Sequence, residues 1–279
     1  MSAGAVRRRA DVAIGRITVG VHTSNEAFLH LLEDRYAGFV DGAAPADYEF
    51  DVELTPPADA APDDDVRVFR RDGRWRLERG DFRAEWDPAA RRGRIRQSAN
   101  PYSIDTVLRI VHTLALAREG GFLMHAASAV RDGKAFVFAG ASGAGKTTIS
   151  RLAPRDVHVL SDEISYVRKE AAGYYAYGTP FAGELARSGE NLRAPIESVY
   201  LLAQGPENRI ETLGKAEAAR GILANILFFA EDVELVQAVF VSALEFVERV
   251  PVRRLTFSPD ARVWELVGKV SGTERELIQ

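Results

Sequence analysis

A glycine-rich segment near the middle of the chain has the residue types and spacing that bind a triphosphate. Residues 140–147 read Gly-Ala-Ser-Gly-Ala-Gly-Lys-Thr, the pattern of a Walker-type phosphate loop. Small residues let consecutive backbone N–H groups turn inward around an anion, and the next helix directs its N-terminus at the same point. The lysine supplies a positive charge to the β and γ phosphates, and the threonine hydroxyl can ligate Mg²⁺. The expected contacts are Gly140, Ala141, Ser142, Gly143, Ala144, Gly145, Lys146, Thr147 and Thr148.

Two adjacent carboxylates downstream indicate a metal ligand and a general base. Asp162 lies sixteen residues after Lys146 and is followed by Glu163, at the end of a run that predicts a strand. Beside a metal–triphosphate, one carboxylate can hold Mg²⁺ while the other accepts the proton of an attacking hydroxyl. An acidic turn or helix cap is the alternative interpretation of this pair, and the segment upstream favours the catalytic one.

The elements around this segment predict a hairpin, a loop and a short helix. Residues 125–130 and 134–139 flank Arg131-Asp-Gly133, which indicates two strands joined by a tight turn. The glycine-rich loop follows the second strand, and a helix over residues 147–152 ends before Pro154. A strand at 157–160, expected to neighbour the strand of the loop, then carries the acidic pair. In ordinary doubly wound nucleotide-binding proteins, by contrast, the loop's strand opens the fold.

Residues 1–100 predict a smaller α+β unit, which we interpret as a covering or substrate-docking sheet. We expect a strand at 14–21, a helix from Ser24 or Asn25 to Val40, and a strand at 48–54. Successive antiparallel hairpins follow a polar loop at 55–65. Residues 101–279 form the predicted catalytic core and begin with a helix at 103–118.

The rest of the core contains a polar loop between predicted packing elements. A hairpin pairs residues 164–167 with 174–177, and the loop after it holds Arg187, Asn191 and Arg193. One of these arginines can clamp a transferring phosphoryl group, although solvated loop charges explain them equally well. Beyond the loop we expect strands at 198–202 and 254–257 and helices at 215–229, 233–247 and 259–270.

About sixty residues of this core resemble the HPr kinase/phosphorylase family. The resemblance is closer to its shorter HPr-kinase-like relatives, and it extends to phosphoenolpyruvate carboxykinase at the level of the fold. It rests, in chain order, on Gly121-Phe-Leu-Met-His125, the hairpin, the glycine-rich loop, Ser161-Asp-Glu163 and Gly178-Thr-Pro-Phe-Ala-Gly183.

The resemblance implies an α/β P-loop kinase core with a mixed sheet, which uses ATP and Mg²⁺ to phosphorylate a serine of a protein or peptide. On this mapping His125 is the family's histidine before the hairpin, and Lys146 and Thr147 are its phosphate-loop lysine and metal-binding hydroxyl. Asp162 is then the candidate general base and Glu163 a metal ligand, with the two roles exchangeable. Without the family, His125 reads as an interior histidine.

The chain also departs from the family. The family usually has two aspartates where this chain has Asp162 and Glu163, and the longer side chain alters metal geometry. The basic, glycine-containing motif that reads the HPr protein is missing, so the resemblance extends neither to HPr as acceptor nor to phosphorolysis. By analogy the family implies a homo-oligomer.

Composition narrows the remaining functions. With 36 basic and 40 acidic residues the net charge is −4, which argues against nucleic acid as a partner. Cysteine is absent, and no apolar stretch is long enough for a membrane span or follows the N-terminal arginines as a signal peptide would. We therefore expect a cytoplasmic protein without a membrane partner. A small-molecule kinase and a non-catalytic regulatory ATP-binding module are the alternatives to a serine kinase.

Overall fold

The computed structural model describes residues 8–40, 45–57, 65–185 and 187–268, which form an α/β protein with mixed sheets and more strands than helices. Contacts group the chain into two compact units. One comprises Met1–Ala115 and Phe228–Val236, and the other comprises Leu116–Leu227 and Gln237–Gln279. From the sequence we predicted the boundary at residue 100, with the helix at 101–119 in the second unit. The contacts place most of this helix in the first unit.

The first unit is built on a seven-stranded sheet with the order β1-β2-β3-β7-β6-β5-β4. Strand β3 is parallel to both of its neighbours, and the other pairs are antiparallel. Alternate residues face the interior, as Trp75, Leu77 and Trp86 do. The elements are β1 (Arg8–Ile14), β2 (Ile17–Thr23), α1 (Glu26–Arg35), β3 (Tyr48–Leu54), β4 (Arg67–Arg71), β5 (Arg74–Arg79), β6 (Phe82–Asp87) and β7 (Arg92–Gln97).

The predicted hairpins of this unit are confirmed, but its first strand was predicted wrongly. Residues 14–21 are not one strand, because Gly15 and Arg16 adopt positive φ values of 57° and 67° and turn the chain between β1 and β2. Two positive φ values fit the right-handed twist of a two-residue hairpin. Helix α1 is capped by Asn25, as expected, but it ends at Arg35 rather than Val40. Residues 58–64 of the predicted polar loop lie outside the described part.

The second unit is built on a nine-stranded mixed sheet. Its main path is β10-β8-β11-β12-β13-β16-β14, while β9 pairs with both β8 and β13, and β15 pairs with β8. The β9–β13 and β13–β16 pairs are parallel. The elements, starting with the helix that joins the units, are α2 (Pro101–Glu119), β8 (Phe122–Arg131), β9 (Lys134–Ala139), α3 (Lys146–Arg151), β10 (His158–Ser161), β11 (Ile164–Glu170), β12 (Gly173–Tyr177), β13 (Arg193–Gln204), β14 (Arg209–Thr212), α4 (Lys215–Leu223), β15 (Ile226–Leu227), α5 (Val233–Arg249), β16 (Val252–Phe257) and a 3₁₀ helix at Ala261–Glu265.

Apolar side chains cover the strands of the second unit on both faces. Val137 and Val199 face a cluster that includes Phe246 of α5. Phe138, one residue along β9, faces the opposite cluster with Trp264. Residues buried on both faces make these strands read as continuous apolar runs, which is why they could be predicted. Among the described helices, none combines the length and the apolar character that a membrane crossing requires.

Three predictions for the second unit were wrong. The helix predicted at 215–229 ends at Leu223, and residues 226–227 form β15. The predicted closing helix is a short 3₁₀ helix, and residues 269–270 lie outside the described part. Strand β10 pairs with β8 and not with the strand of the glycine-rich loop. The reason is that the long strand β8 carries β9 on one edge and β10 on the other.

Candidate functional site

The loop at residues 140–147 connects the end of β9 to the start of α3, and its backbone requires glycine. Gly143 and Gly145 have φ values of 77° and 110°, in the left-handed region that side chains disfavour. A Cβ atom at Gly145 would lie 2.6 Å from Cζ of Phe257, and one at Gly140 would lie 2.7 Å from Cβ of Ala144. The strand–loop–helix arrangement predicted from the sequence is therefore present.

Alanine at Gly145 is expected to destabilise the fold and the loop together. The added Cβ meets the Phe257 ring, and the backbone must hold a positive φ, so we expect a loss of about 1–3 kcal/mol in the free energy of unfolding. Chemical denaturation measures this loss. Gly214→Ala is the matched control, because Gly214 has a φ of −66° and open space around it. Equal stability of the two variants would contradict the prediction.

Lys146 lies beneath this loop and is 8% exposed. Its ammonium Nζ donates hydrogen bonds to the backbone carbonyls of Gly140 at 2.9 Å and Ala141 at 3.1 Å. Burial lowers the pKa of Lys146 below its ordinary value, while the carboxylates of Glu163 and Glu184 act in the opposite direction. Two acidic side chains therefore act on the lysine, and the sequence had pointed to only one of them.

Asp162 is 4% exposed, and each of its carboxylate oxygens accepts a hydrogen bond from a backbone N–H group. Oδ1 accepts from Gly183 and Oδ2 accepts from Leu185, each at 2.9 Å. The residue between these donors is Glu184. Asp162 thus fixes the segment that carries Glu184, a long-range role that the sequence did not show.

His125 lies in β8 and Glu163 in the bend between β10 and β11, and both are near Lys146. The carbonyl of Glu163 accepts the N–H of Ala126 at 2.9 Å, and His125 is opposite Ile164 in the β8–β11 pair. Burial lowers the pKa of His125, and the charge of Lys146 lowers it further. The imidazole is therefore neutral at neutral pH, and His125, Lys146 and Glu163 belong to one site.

The pKa of His125 is expected to lie below its ordinary value because of burial and the charge of Lys146. A histidine NMR titration should give a pKa below 6.5 for His125, and Lys146→Met should raise that pKa without restoring the ordinary value, because burial remains. The unfolded chain then binds more protons than the folded chain below about pH 6.5. The contribution of His125 to stability therefore falls as the pH drops from there through the lowered pKa. His125→Gln assigns the resonance and should remove this part of the pH dependence, and an unchanged pKa in Lys146→Met would contradict the assignment.

Not every predicted residue lies at the loop. Arg193 pairs with Glu170 and stacks on the Tyr175 ring at 4.9 Å, at the start of β13, whereas the loop lies beside the end of that strand.

The hydroxyl-bearing residues Thr147 and Thr148 are half-buried in α3. Within the described part of the chain, no group of three or more His, Asp or Glu side chains is arranged to hold a metal ion.

The fold and this site define an α/β protein with mixed sheets, in which a glycine-rich loop covers a buried lysine and acidic side chains act on that lysine. A family model described as SynChlorMet cassette protein ScmC matches residues 96–271. The match covers more than half of the sequence, so the chain belongs to this family. None of the curated proteins compared with the chain matches it.

Proposed function

We propose that this protein binds ATP at the loop of residues 140–147 and transfers the γ-phosphoryl group to a hydroxyl, that of a serine in a protein or peptide. The observation that carries the proposal is the buried Lys146 beneath a loop with left-handed glycines, acted on by Glu163 and Glu184. The hairpin before the loop and the resemblance of residues 121–183 support a P-loop core of the HPr kinase type. Such a kinase would act in the cytoplasm, where ATP is available, and by analogy would form a homo-oligomer.

The residues present fit a magnesium–triphosphate. A positively charged lysine and the backbone N–H groups at the start of α3 suit an anion, and the N-terminus of that helix adds to the effect. Thr147 and Glu163 provide the oxygen atoms that would hold Mg²⁺, with Asp162 next to them. The ion would supply neutralisation of charge that develops on the phosphoryl oxygens.

Three side chains would act on the acceptor hydroxyl: two carboxylates that can take its proton and a histidine that orients it. Asp162 stays the candidate base: its two oxygens accept one N–H group each, from Gly183 and Leu185, and each oxygen keeps a second lone pair that can take a proton. Glu163 does not accept from these two donors, so the two carboxylates remain exchangeable as base and metal ligand. We assign neutral His125 to orienting the acceptor, because it can accept a hydrogen bond from a hydroxyl.

The acceptor decides between this proposal and its alternatives. The experiment incubates the full-length protein with γ-labelled ATP and Mg²⁺, with and without an extract of source cells, beside Lys146→Ala. Label on a discrete protein or peptide, lost in the variant, supports the serine kinase. Label on a small molecule would indicate a small-molecule kinase. Label that stays on intact ATP, despite nucleotide binding by calorimetry, would indicate a regulatory module.

A further inference from the structure

The tip of the glycine-rich loop has no side-chain packing of its own. Gly143, at the tip, is exposed, and a Cβ placed on it would meet nothing within 4 Å. Two residues in this short stretch, Gly143 and Gly145, also have the wide conformational freedom of glycine. A stretch with these properties stays in one conformation only if hydrogen bonds hold it there.

One side chain from another strand supplies such a bond. The amide Nε2 of Gln204 donates to the carbonyl of Gly143 at 2.7 Å. Gln204 is the last residue of β13, which runs parallel to β9 and pairs Leu201 with Ala139, the residue before the loop. The strand therefore continues beyond the end of β9, and its last residue reaches the tip.

The bond from Gln204 belongs to a chain of contacts that ends at Lys146. The C=O and N–H of one trans peptide point in opposite directions, so the hold on the Gly143 carbonyl also orients the N–H of Ala144. That N–H donates to the carbonyl of Ala141 at 3.0 Å, and the same carbonyl accepts from Lys146 Nζ at 3.1 Å. The orientation of the tip and the position of the lysine are thus coupled.

We propose that Gln204 is a positioning residue for triphosphate binding, which acts by holding the Gly143–Ala144 peptide so that the loop is preformed before the ligand arrives. This inference rests on the proposed function of the loop. A preformed loop loses less conformational entropy when it binds a ligand, so the affinity for phosphates is higher than that of a mobile tip. Gln204 acts through the backbone, and no contact between Gln204 and the nucleoside is part of the proposal.

Calorimetry with the full-length protein tests the inference, using Mg²⁺ with a non-hydrolysable ATP analogue and, separately, with inorganic tripolyphosphate. Gln204→Ala removes the donor, and Gln204→Glu replaces it with an acceptor that repels the carbonyl. We expect the Kd for both ligands to rise about five- to tenfold in Gln204→Ala and further in Gln204→Glu, as for the loss of one hydrogen bond. The Tm of the ligand-free protein should fall by no more than about 2–4 °C, the size expected for the loss of one hydrogen bond.

Two variants control for side effects. Gln237→Ala removes an exposed glutamine from α5, and Asn208→Asp adds a negative charge near β13 while it keeps the acceptor for the N–H of Ser258. Both should bind like wild type. Wild-type affinity in Gln204→Ala, or a change for the ATP analogue but not for tripolyphosphate, would overturn the inference and leave the proposed function in place. A lower Tm of ligand-free Gln204→Ala, with unchanged affinity at a temperature where it is folded, would also overturn it. If the wild-type protein binds neither ligand, the proposed function itself fails.

Discussion

Lys146→Met is expected to slow phosphoryl transfer strongly while it leaves the fold as stable as wild type or more stable. Methionine keeps most of the volume of the buried side chain but removes the charge that would meet the triphosphate. Loss of one such electrostatic contact lowers kcat by about 10²–10³-fold. Stability should not fall, because Lys146 is 8% exposed and the loss of its ammonium ends the cost of burying a charge. Transfer of labelled phosphate and thermal unfolding measure the two effects.

The matched control is Lys134→Met. Lys134 is an exposed lysine at the start of β9 that pairs with Glu197. It lies at the opposite end of β9 from the loop, so its loss should change neither transfer nor nucleotide affinity. Full activity of Lys146→Met would remove the charge of Lys146 from the proposed mechanism.

Asp162→Asn and Glu163→Gln are expected to differ in stability although both lower activity. In Asp162→Asn the new amide can accept from only one of the two N–H groups of Gly183 and Leu185, and its own NH₂ opposes the other. Leaving a buried donor unsatisfied costs about 1–3 kcal/mol in the free energy of unfolding, and these donors are half-buried, so we expect a loss of about 1 kcal/mol. Glu163→Gln should have the same free energy of unfolding as wild type. If Glu163 holds the metal or accepts the proton, the kcat of Glu163→Gln should be about 10²–10⁴-fold lower than that of wild type.

Urea unfolding and single-turnover transfer, measured on the same preparations, separate these two effects. Glu197→Gln serves as a control for the loss of an acidic side chain away from the loop. An equal free energy of unfolding for Asp162→Asn and wild type would show that the hydrogen bonds from Gly183 and Leu185 to Asp162 contribute little to stability. Transfer that survives in Glu163→Gln but not in a folded Asp162→Asn would assign the base role to Asp162.

The sequence predicted the parts of the site that depend on neighbouring residues. The hairpin β8–β9 follows from the turn at Asp132 and Gly133, both of which adopt positive φ. The loop and its helix follow from the spacing of small residues before Lys146. These features are local, because each depends on residues within a few positions of one another.

Contacts between distant residues could not be predicted in the same way. The partners of Asp162 lie more than twenty residues away, and no periodicity connects Gln204 with Gly143. Even a local feature was missed where its signal was weak. The turn at Gly15 and Arg16 lies inside an apolar run and lacks the Asn-Gly or Asp-Gly pair that marks such turns. Helix propensity likewise continued past Leu223, where pairing with β8 takes residues 226–227 into the sheet instead.

Strand β8 pairs with four other strands: β9 and β10 along its second half, and β11 and β15 along its first half. Strand β8 therefore contains His125 and pairs with β9, which leads into the loop, and with β10 and β11, which flank the acidic pair. For sequence divergence this means that the neighbours of β8 can change one at a time, each affecting one part of the site. A change that bends or shifts β8 displaces all three parts together, so variation in this strand should be tolerated least.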